Sequence, residues 1–172
     1  PADLFNGCPG FTTITIPDTV TVIGSSAFAD CKQLSSVRLS NNLTELGSGA
    51  FLNCTSLTSI RIPKSLESAY SGITVDGPFD GCTALKNVEL ESGMTKIPAD
   101  LFNGCPGFTT ITIPDTVTEI GDSAFEDCKQ LSSVSWSSKL TELGSSVFSN
   151  CTSLTSIRIP DTVTDMGDHV FS

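Results

Sequence analysis

Few of the 172 residues in this chain carry side chains that commonly serve catalysis. The only histidine is His169, near the C-terminal end, so a histidine-dependent nucleophile triad has no plausible base. The sequence contains no glycine-rich phosphate loop and no HExxH, GxSxG or EF-hand pattern. Many of its 19 carboxylates recur at repeated positions, such as Asp18, Asp115 and Asp161, which is typical of a solvated surface. We therefore expect neither enzymatic activity nor a cofactor.

All seven cysteines of the chain share one sequence frame. They are Cys8, Cys31, Cys54, Cys82, Cys105, Cys128 and Cys151. No Cys-x-x-Cys or Cys/His cluster occurs, which disfavours a metal site. An odd number of cysteines at one repeated position indicates a column of free structural thiols, since unpaired cysteine is among the most often buried residue types. A disulfide between neighbouring repeats is the main alternative, and a metal site is a weaker one.

A phenylalanine stands three residues before each cysteine and defines a repeat. The eight phenylalanines of this frame are Phe5, Phe28, Phe51, Phe79, Phe102, Phe125, Phe148 and Phe171. They follow one another every 23 residues, with one step of 28. A strict period of this length predicts a solenoid in which each repeat forms one coil. We expect a single domain over residues 1–172, with about seven coils and an enlarged coil at 63–82, as a segment of a longer array.

Each repeat contains a short alternating segment followed by a turn. Alternation of apolar and small polar residues predicts half-buried strands. These strands are expected at 11–16, 34–39, 57–62, 85–90, 108–113, 131–136 and 154–159. A second apolar pair follows, such as Val20 and Ile23, and then a corner glycine such as Gly24. The segments 25–28 and 122–125 are predicted to form a single helical or 3₁₀ turn.

The repeat Leu-x-x-Ile-x-Ile-Pro-x-x-Val-x-x-Ile-Gly-x-x-Ala-Phe-x-x-Cys resembles the 23-residue leucine-rich repeat of the BspA-like, or Treponema pallidum, class. The resemblance covers the whole chain except for the stretched copy at 55–82. It implies an α/β-type leucine-rich repeat solenoid with right-handed coils. A parallel β-sheet would line the concave face, and short strands and 3₁₀ or single-turn helices would lie on the convex side.

The same resemblance implies a function class and a location. BspA-like proteins are mostly secreted or cell-surface proteins, and several are adhesins that bind host matrix proteins, host cells or other microbes. We therefore expect an extracellular or cell-surface, non-enzymatic protein-binding module with a role in adhesion and host interaction. The alternative is a structural spacer that projects another domain and has no partner of its own.

The composition excludes two other classes of partner. The formal net charge of −10 argues against nucleic acid, whose phosphates require clustered Lys and Arg. No run of 18 apolar residues occurs, so we expect no membrane insertion in this segment. Neither end has a recognisable polar cap, which predicts weak self-association through the ends of the solenoid.

Binding residues are sought among the outward positions of the first strands, because the inward positions are needed for packing. All three arginines lie in one outward column, which we call the arginine column: Arg38, Arg61 and Arg158. Glu89 is the one acid expected there. Arg38 and Arg61 are predicted to be neighbours on adjacent coils, where a bound carboxylate or sulfate would relieve their repulsion. The alternative is that these side chains are tolerated solvent-facing residues.

Two departures from the repeat pattern supply the remaining candidate binding residues. Trp136, the only tryptophan, stands at an inward strand position and is either a core residue or an aromatic that extends the contact surface. The enlarged coil adds five residues and carries Tyr70 and Ile73, which we predict to lie on a binding loop. The alternative for this coil is a tolerated bulge.

A block of repeats has been copied within the chain. Residues 1–21 recur without change as residues 98–118. Further on, Arg38 and Leu39 correspond to Ser135 and Trp136 in the second block. Most packing positions are thus shared between the blocks, with Leu39 and Trp136 as an exception, while several surface positions differ.

Overall fold

The computed structural model describes residues 2–70 and 76–172, with only the backbone of Tyr70. Its strands form two parallel columns along a β-solenoid. The first column holds β1 (Thr13–Thr15), β3 (Ser36–Arg38), β5 (Ser59–Ile62), β7 (Asn87–Leu90), β9 (Thr110–Thr112) and β11 (Ser133–Ser135). The second holds β2 (Val22–Ile23), β4 (Glu45–Gly47), β6 (Ser68–Tyr70), β8 (Lys96–Ile97), β10 (Glu119–Ile120), β12 (Glu142–Leu143) and β13 (Asp165–Met166).

The alternation in the sequence sets which side of each strand is buried. In β5, Ser59 and Arg61 are exposed, whereas Ile60 and Ile62 are buried. Corresponding residues of successive strands lie in register, as Ile60 does with Val88 of β7. Each coil therefore covers the apolar side chains of the next, and one continuous core runs along the solenoid.

Both strand columns are interrupted near the enlarged coil. The first column forms one ladder of β1, β3, β5 and β7 and a separate ladder of β9 and β11. The second column breaks one coil interface earlier, between β6 and β8. Each interface between coils therefore keeps at least one ladder, and the core continues through the breaks.

The predicted strand at 154–159 is wrong, because the structure has no strand there. In the preceding coil, the Ser132 amide donates to the Thr109 carbonyl at 2.9 Å, which begins the ladder between β9 and β11. The Thr155 amide instead donates within its own coil, to the Ser153 carbonyl at 3.1 Å. The first column therefore has six strands in the described residues rather than seven.

The predicted helical turns are also wrong, so the α/β detail of the expected fold class does not hold. In residues 2–70 and 76–172 there is no helix of any kind, and none that could cross a membrane. The turn after Gly24 shows why: Ser26 has a left-handed backbone with φ 53°. The Ser26 and Phe28 amides donate to the Ser48 and Ala50 carbonyls of the next coil at 2.9 and 2.8 Å. Those amides are thus unavailable for hydrogen bonds within a helix.

The eight phenylalanines of the repeat frame stack into one continuous ladder. Neighbouring ring centroids lie between 5.2 Å, for Phe28 and Phe51, and 5.8 Å, for Phe148 and Phe171. The rings are nearly parallel, with interplanar angles as low as 3° for Phe51 and Phe79. Such stacking adds roughly 0.5–1.5 kcal/mol per pair beyond the burial of apolar area.

Five of the seven cysteines attach their coil to the phenylalanine ladder of the preceding coil. All seven are free thiols in the structure, and all but Cys8 are buried. The Cys54 thiol donates to the Phe28 carbonyl of the preceding coil at 3.2 Å, and Cys82 makes the same contact with Phe51. Burial raises the pKa of Cys54 from its ordinary 9.0 to about 12. The thiols therefore act as neutral hydrogen-bond donors inside the core.

Replacing an interior ring should cost far more stability than replacing the ring at the end. Phe79 is fully buried, whereas Phe171 is 42% exposed. We expect Phe79→Ala to lower the free energy of unfolding by about 3–5 kcal/mol and Phe171→Ala by no more than about 1 kcal/mol. Urea denaturation monitored by circular dichroism measures both. Equal losses of stability in the two variants would contradict the conclusion that the interior rings of the ladder are buried and the terminal ring is not.

Alkaline pH should destabilise the fold through the buried thiols. Burial raises the pKa of Cys54, Cys105 and Cys151 from 9.0 to about 12. Thiols in the unfolded chain ionise near pH 9, whereas those in the folded chain stay neutral. Their stabilisation of the folded state is therefore complete below pH 9 and is lost between about pH 9 and 12. Each thiol should add a slope of about 1.4 kcal/mol per pH unit in that range. Urea midpoints from pH 8 to 10.5 test this, and the slope should be shallower in Cys54→Ala; identical slopes would exclude the thiols as the cause.

Candidate functional site

The first strand column brings two arginines side by side on the outside of the solenoid. We call the outward residues of β1, β3, β5, β7, β9 and β11 the strand face. Ser36 of β3 is paired with Ser59 of β5, so Arg38 and Arg61, each two residues further on, lie on adjacent strands. Between them is a shallow groove of about 240 Å³ that also includes Asn41. The prediction that these arginines are next-coil neighbours is confirmed.

Arg38 is held by an acid from the preceding coil. Its Nη2 donates to both oxygens of Asp18, at 3.1 and 3.3 Å. The same carboxylate accepts the backbone amide of Asn41 at 2.9 Å and its side-chain amide at 3.2 Å. The Asn41 amide, followed by the Arg38 guanidinium, lowers the pKa of Asp18. Asp18 therefore stays ionised and positions Arg38 along the edge of the groove.

Arg61 is held by two acids of the following coil. Its Nε donates to Glu89 at 3.2 Å and its Nη2 to Glu91 at 3.1 Å. Glu89 lies in register with Arg61 across the ladder between β5 and β7. Glu91 also accepts the backbone amide of Lys64 at 3.0 Å. We call Asp18, Arg38, Arg61, Glu89 and Glu91 the charged cluster.

These ion pairs change the electrostatic argument for the site. The sequence predicts that Arg38 and Arg61 repel each other and that a bound anion would relieve this repulsion. In the structure, Asp18 and Glu91, which stand at turns beside the strand face, already pair with the two guanidinium groups. Among the described residues only Nη2 of Arg38 is bonded, so its Nε and Nη1 remain as donors for a partner. The cluster can therefore donate hydrogen bonds although its two arginines and three acids give it a formal net charge of −1.

The other predicted binding residues lie apart from the charged cluster. Arg158 lies within the segment 154–159 that forms no strand, its side chain is 88% exposed, and it pairs with Asp161 at 3.7 Å. Trp136 is half-buried and packs edge-to-face on Phe148 with centroids 5.7 Å apart, so it contacts the core. Ile73 and the side chain of Tyr70 lie outside the described residues.

The second block lacks the charged cluster although its backbone repeats the first. Asp115 corresponds to Asp18 and accepts the amide of Ser138 at 3.1 Å, as Asp18 accepts that of Asn41. The residue at the position of Arg38 is Ser135, which is too short to reach Asp115. The strand face of β9 and β11 consequently presents hydroxyl groups, from Thr110, Thr112, Ser133 and Ser135.

Sequence reasoning missed Asp18 and Glu91 as members of the site. Both stand at the turn that follows a first strand, and Glu91 occupies the place held by Pro17 or Pro63 in other coils. Because this turn lies at the edge of the strand column, its side chains reach the outward residues of the neighbouring coil. An acidic residue at this turn, one coil before or after an outward arginine, is the sequence pattern that could have predicted both ion pairs.

The two parallel strand columns, the short turns and the strand face define a leucine-rich repeat solenoid. Residues 1–73 and 75–172 match a family model described as BspA type leucine rich repeat region, in six copies. The chain belongs to this family, as the sequence resemblance indicated. No match occurs among the curated proteins.

Solved structures with the same fold come from several bacteria. A leucine-rich repeat protein from T. pallidum has a TM-score of 0.72 and 28% identity, over 90% of this chain and 70% of that one. A leucine-rich repeat protein from Bacteroides ovatus has a TM-score of 0.79 and 30% identity, over 99% and 43%. A leucine rich cell surface protein from Faecalibacterium prausnitzii has a TM-score of 0.53 and 28% identity, over 99% and 53%. This chain therefore spans about half the length of the latter two.

Removing Glu91 should reveal the coupling inside the charged cluster. We expect Glu91→Ala to lower the free energy of unfolding by about 1 kcal/mol, because Arg61 loses a partner and the Lys64 amide loses its acceptor. A double-mutant cycle with Arg61→Ser should give a coupling energy of roughly 0.2–1 kcal/mol that shrinks in 1 M NaCl. Urea denaturation at low and high salt measures it. A coupling of zero at low salt would contradict a stabilising ion pair.

Proposed function

We propose that this chain is a non-enzymatic protein-binding module whose strand face, centred on the charged cluster, contacts the partner. The observation that supports it most is the groove between Arg38 and Arg61, where two positioned guanidinium groups border the exposed residues Asn41 and Ser59. Arginine is enriched in protein interfaces, and ion pairs within one partner fix its orientation before binding. Pre-positioning reduces the entropy that is lost on association.

The family suggests where such a module acts. One similar structure is described as a cell surface protein. We propose a cell-surface or extracellular location and a role in adhesion to a host matrix or cell-surface protein. The mixed charge of the cluster favours a partner surface that presents both carboxylate or carbonyl oxygens and hydrogen-bond donors over a purely anionic one.

The second candidate function is a spacer that projects another domain. It is favoured by the neutralisation of Arg38 and Arg61 within the chain, which leaves no unpaired charge on them to attract a partner. A spacer needs only stability and regular stacking, both of which the core supplies. The two functions differ in whether strand-face substitutions affect binding.

The discriminating experiment measures binding of the 172-residue chain to matrix proteins by surface plasmon resonance and to epithelial cells by flow cytometry. For a partner so found, we expect Arg38→Ser combined with Arg61→Ser to lower affinity at least about tenfold, or 1.4 kcal/mol. Serine is a matched replacement at position 38, because the second block has Ser135 at the equivalent place. Arg158→Ser is the control, since that exposed side chain lies outside the cluster.

The outcome separates the two functions. Binding that is lost in the double variant and retained in Arg158→Ser supports the strand-face module. Binding that is unchanged in the double variant overturns the assignment of the site. No binding to any of the matrix proteins or cells favours the spacer.

A further inference from the structure

The groove between Arg38 and Arg61 has an apolar floor. Leu39 and Ile60, which are 5% and 3% exposed, line it together with Pro63. The groove measures about 240 Å³, which is smaller than the roughly 300–1,000 Å³ of a pocket for a drug-sized molecule. A cavity of about 150 Å³ holds a benzene ring. The groove therefore has room for one aromatic side chain.

Arg61 borders the groove with a guanidinium group that is fixed through its nitrogens. Its Nε and Nη2 donate to Glu89 and Glu91, yet the arginine side chain is still 53% exposed. All N–H groups of a guanidinium lie in its plane, so these bonds do not occupy the faces of the plane. Aromatic rings stack on such a face, and the two acids keep it in one orientation.

Arg38 borders the groove on the other strand and retains hydrogen-bond donors. Among the described residues only its Nη2 is bonded, to Asp18, so Nε and Nη1 remain. Asn41 donates from its backbone amide and its Nδ2 to the same carboxylate, which fixes the Asn41 side chain and leaves Oδ1 as an acceptor. Asp18 thus positions a donor and an acceptor together. A phenol hydroxyl, which accepts one hydrogen bond and donates another, matches this pair.

A carboxylate of a partner fits the groove less well than an aromatic ring. A carboxylate that is bound by two parallel N–H bonds uses Nη2 of the arginine together with Nε or Nη1. In both arginines Nη2 already donates to an acid of this chain, so a partner's carboxylate would have to share it. The formal net charge of −1 on the charged cluster also opposes a further anion.

We propose that the groove receives a tyrosine side chain of the partner. The ring lies on the apolar floor against the face of Arg61, and the hydroxyl accepts from Nε or Nη1 of Arg38 and donates to Oδ1 of Asn41. The inference rests on the proposed binding function of the strand face and names the chemistry that this face recognises. Tyrosine and arginine are among the residues that dominate the binding energy of protein interfaces.

Titration of the isotope-labelled 172-residue chain with three small probes, followed by heteronuclear NMR, tests the proposal. The probes are N-acetyltyrosinamide, N-acetylphenylalaninamide and acetate. We expect the tyrosine probe to shift the amide resonances of residues 37–41 and 59–61, and to bind about fivefold more tightly than the phenylalanine probe, the effect of one net hydrogen bond. Stronger binding of acetate than of the tyrosine probe, or no shift with the tyrosine probe, would overturn the proposal.

Two single variants separate the roles of the arginines. Arg61→Lys keeps the charge but removes the planar face, so it should weaken both aromatic probes at least about threefold. Arg38→Ser removes the donor and should abolish the difference between the tyrosine and phenylalanine probes. Arg158→Lys is the matched control, because Arg158 is the counterpart of Arg61 in the second block, where Ser135 replaces Arg38. Unchanged melting temperatures confirm that the variants fold, and equal probe affinities in Arg61→Lys and the wild type would exclude stacking.

The same variants distinguish failure of this inference from failure of the proposed function. For a partner found by surface plasmon resonance, Arg61→Lys should weaken binding as Arg61→Ser does, and 1 M NaCl should have little effect on the loss. A partner that is lost in the double serine variant but retained in Arg61→Lys recognises charge, so the tyrosine site fails while the strand-face module stands. Absence of any partner overturns both.

Discussion

The structure depends on one constraint: every coil must place a phenylalanine ring on the ring of the coil before it. The rings of Phe51 and Phe79 remain parallel within 3° although the enlarged coil lies between them. Both strand columns break near that coil, yet the ladder does not. The insertion is therefore accommodated by the strands and turns, while the register of the core is kept by aromatic stacking and by thiols such as Cys82 that bond to the phenylalanine carbonyl of the previous coil.

Much of the fold could be predicted from the sequence because packing dictates it residue by residue. The alternation at Ser59–Ile62 predicts which side chains are buried, and the Phe and Cys frame predicts the repeat. The helical turn at 25–28 could not be excluded, because the amides of Ser26 and Phe28 take partners in the next coil, and local propensity does not report such bonds. The segment 154–159 forms no strand, although its apolar and polar residues alternate as they do in the segments that form strands. Its absence depends on backbone pairing between coils, which a repeat pattern does not contain.

The candidate site was harder to predict than the fold, because its charges come from positions that the repeat leaves free. Arg38 and Arg61 were visible as an outward column, but their electrostatic state is set by Asp18 and Glu91 in turns of the neighbouring coils. The two blocks show the consequence: the backbone around Asp115 repeats that around Asp18, and replacement of one arginine by Ser135 leaves hydroxyl groups where the first block has an ion pair. Because stacking demands only the inward residues, such a change alters the strand face without a penalty in the core. A copied block can therefore keep its fold while the charges on its surface change, and in this chain the charged cluster distinguishes the strand face of β3–β7 from that of β9–β11.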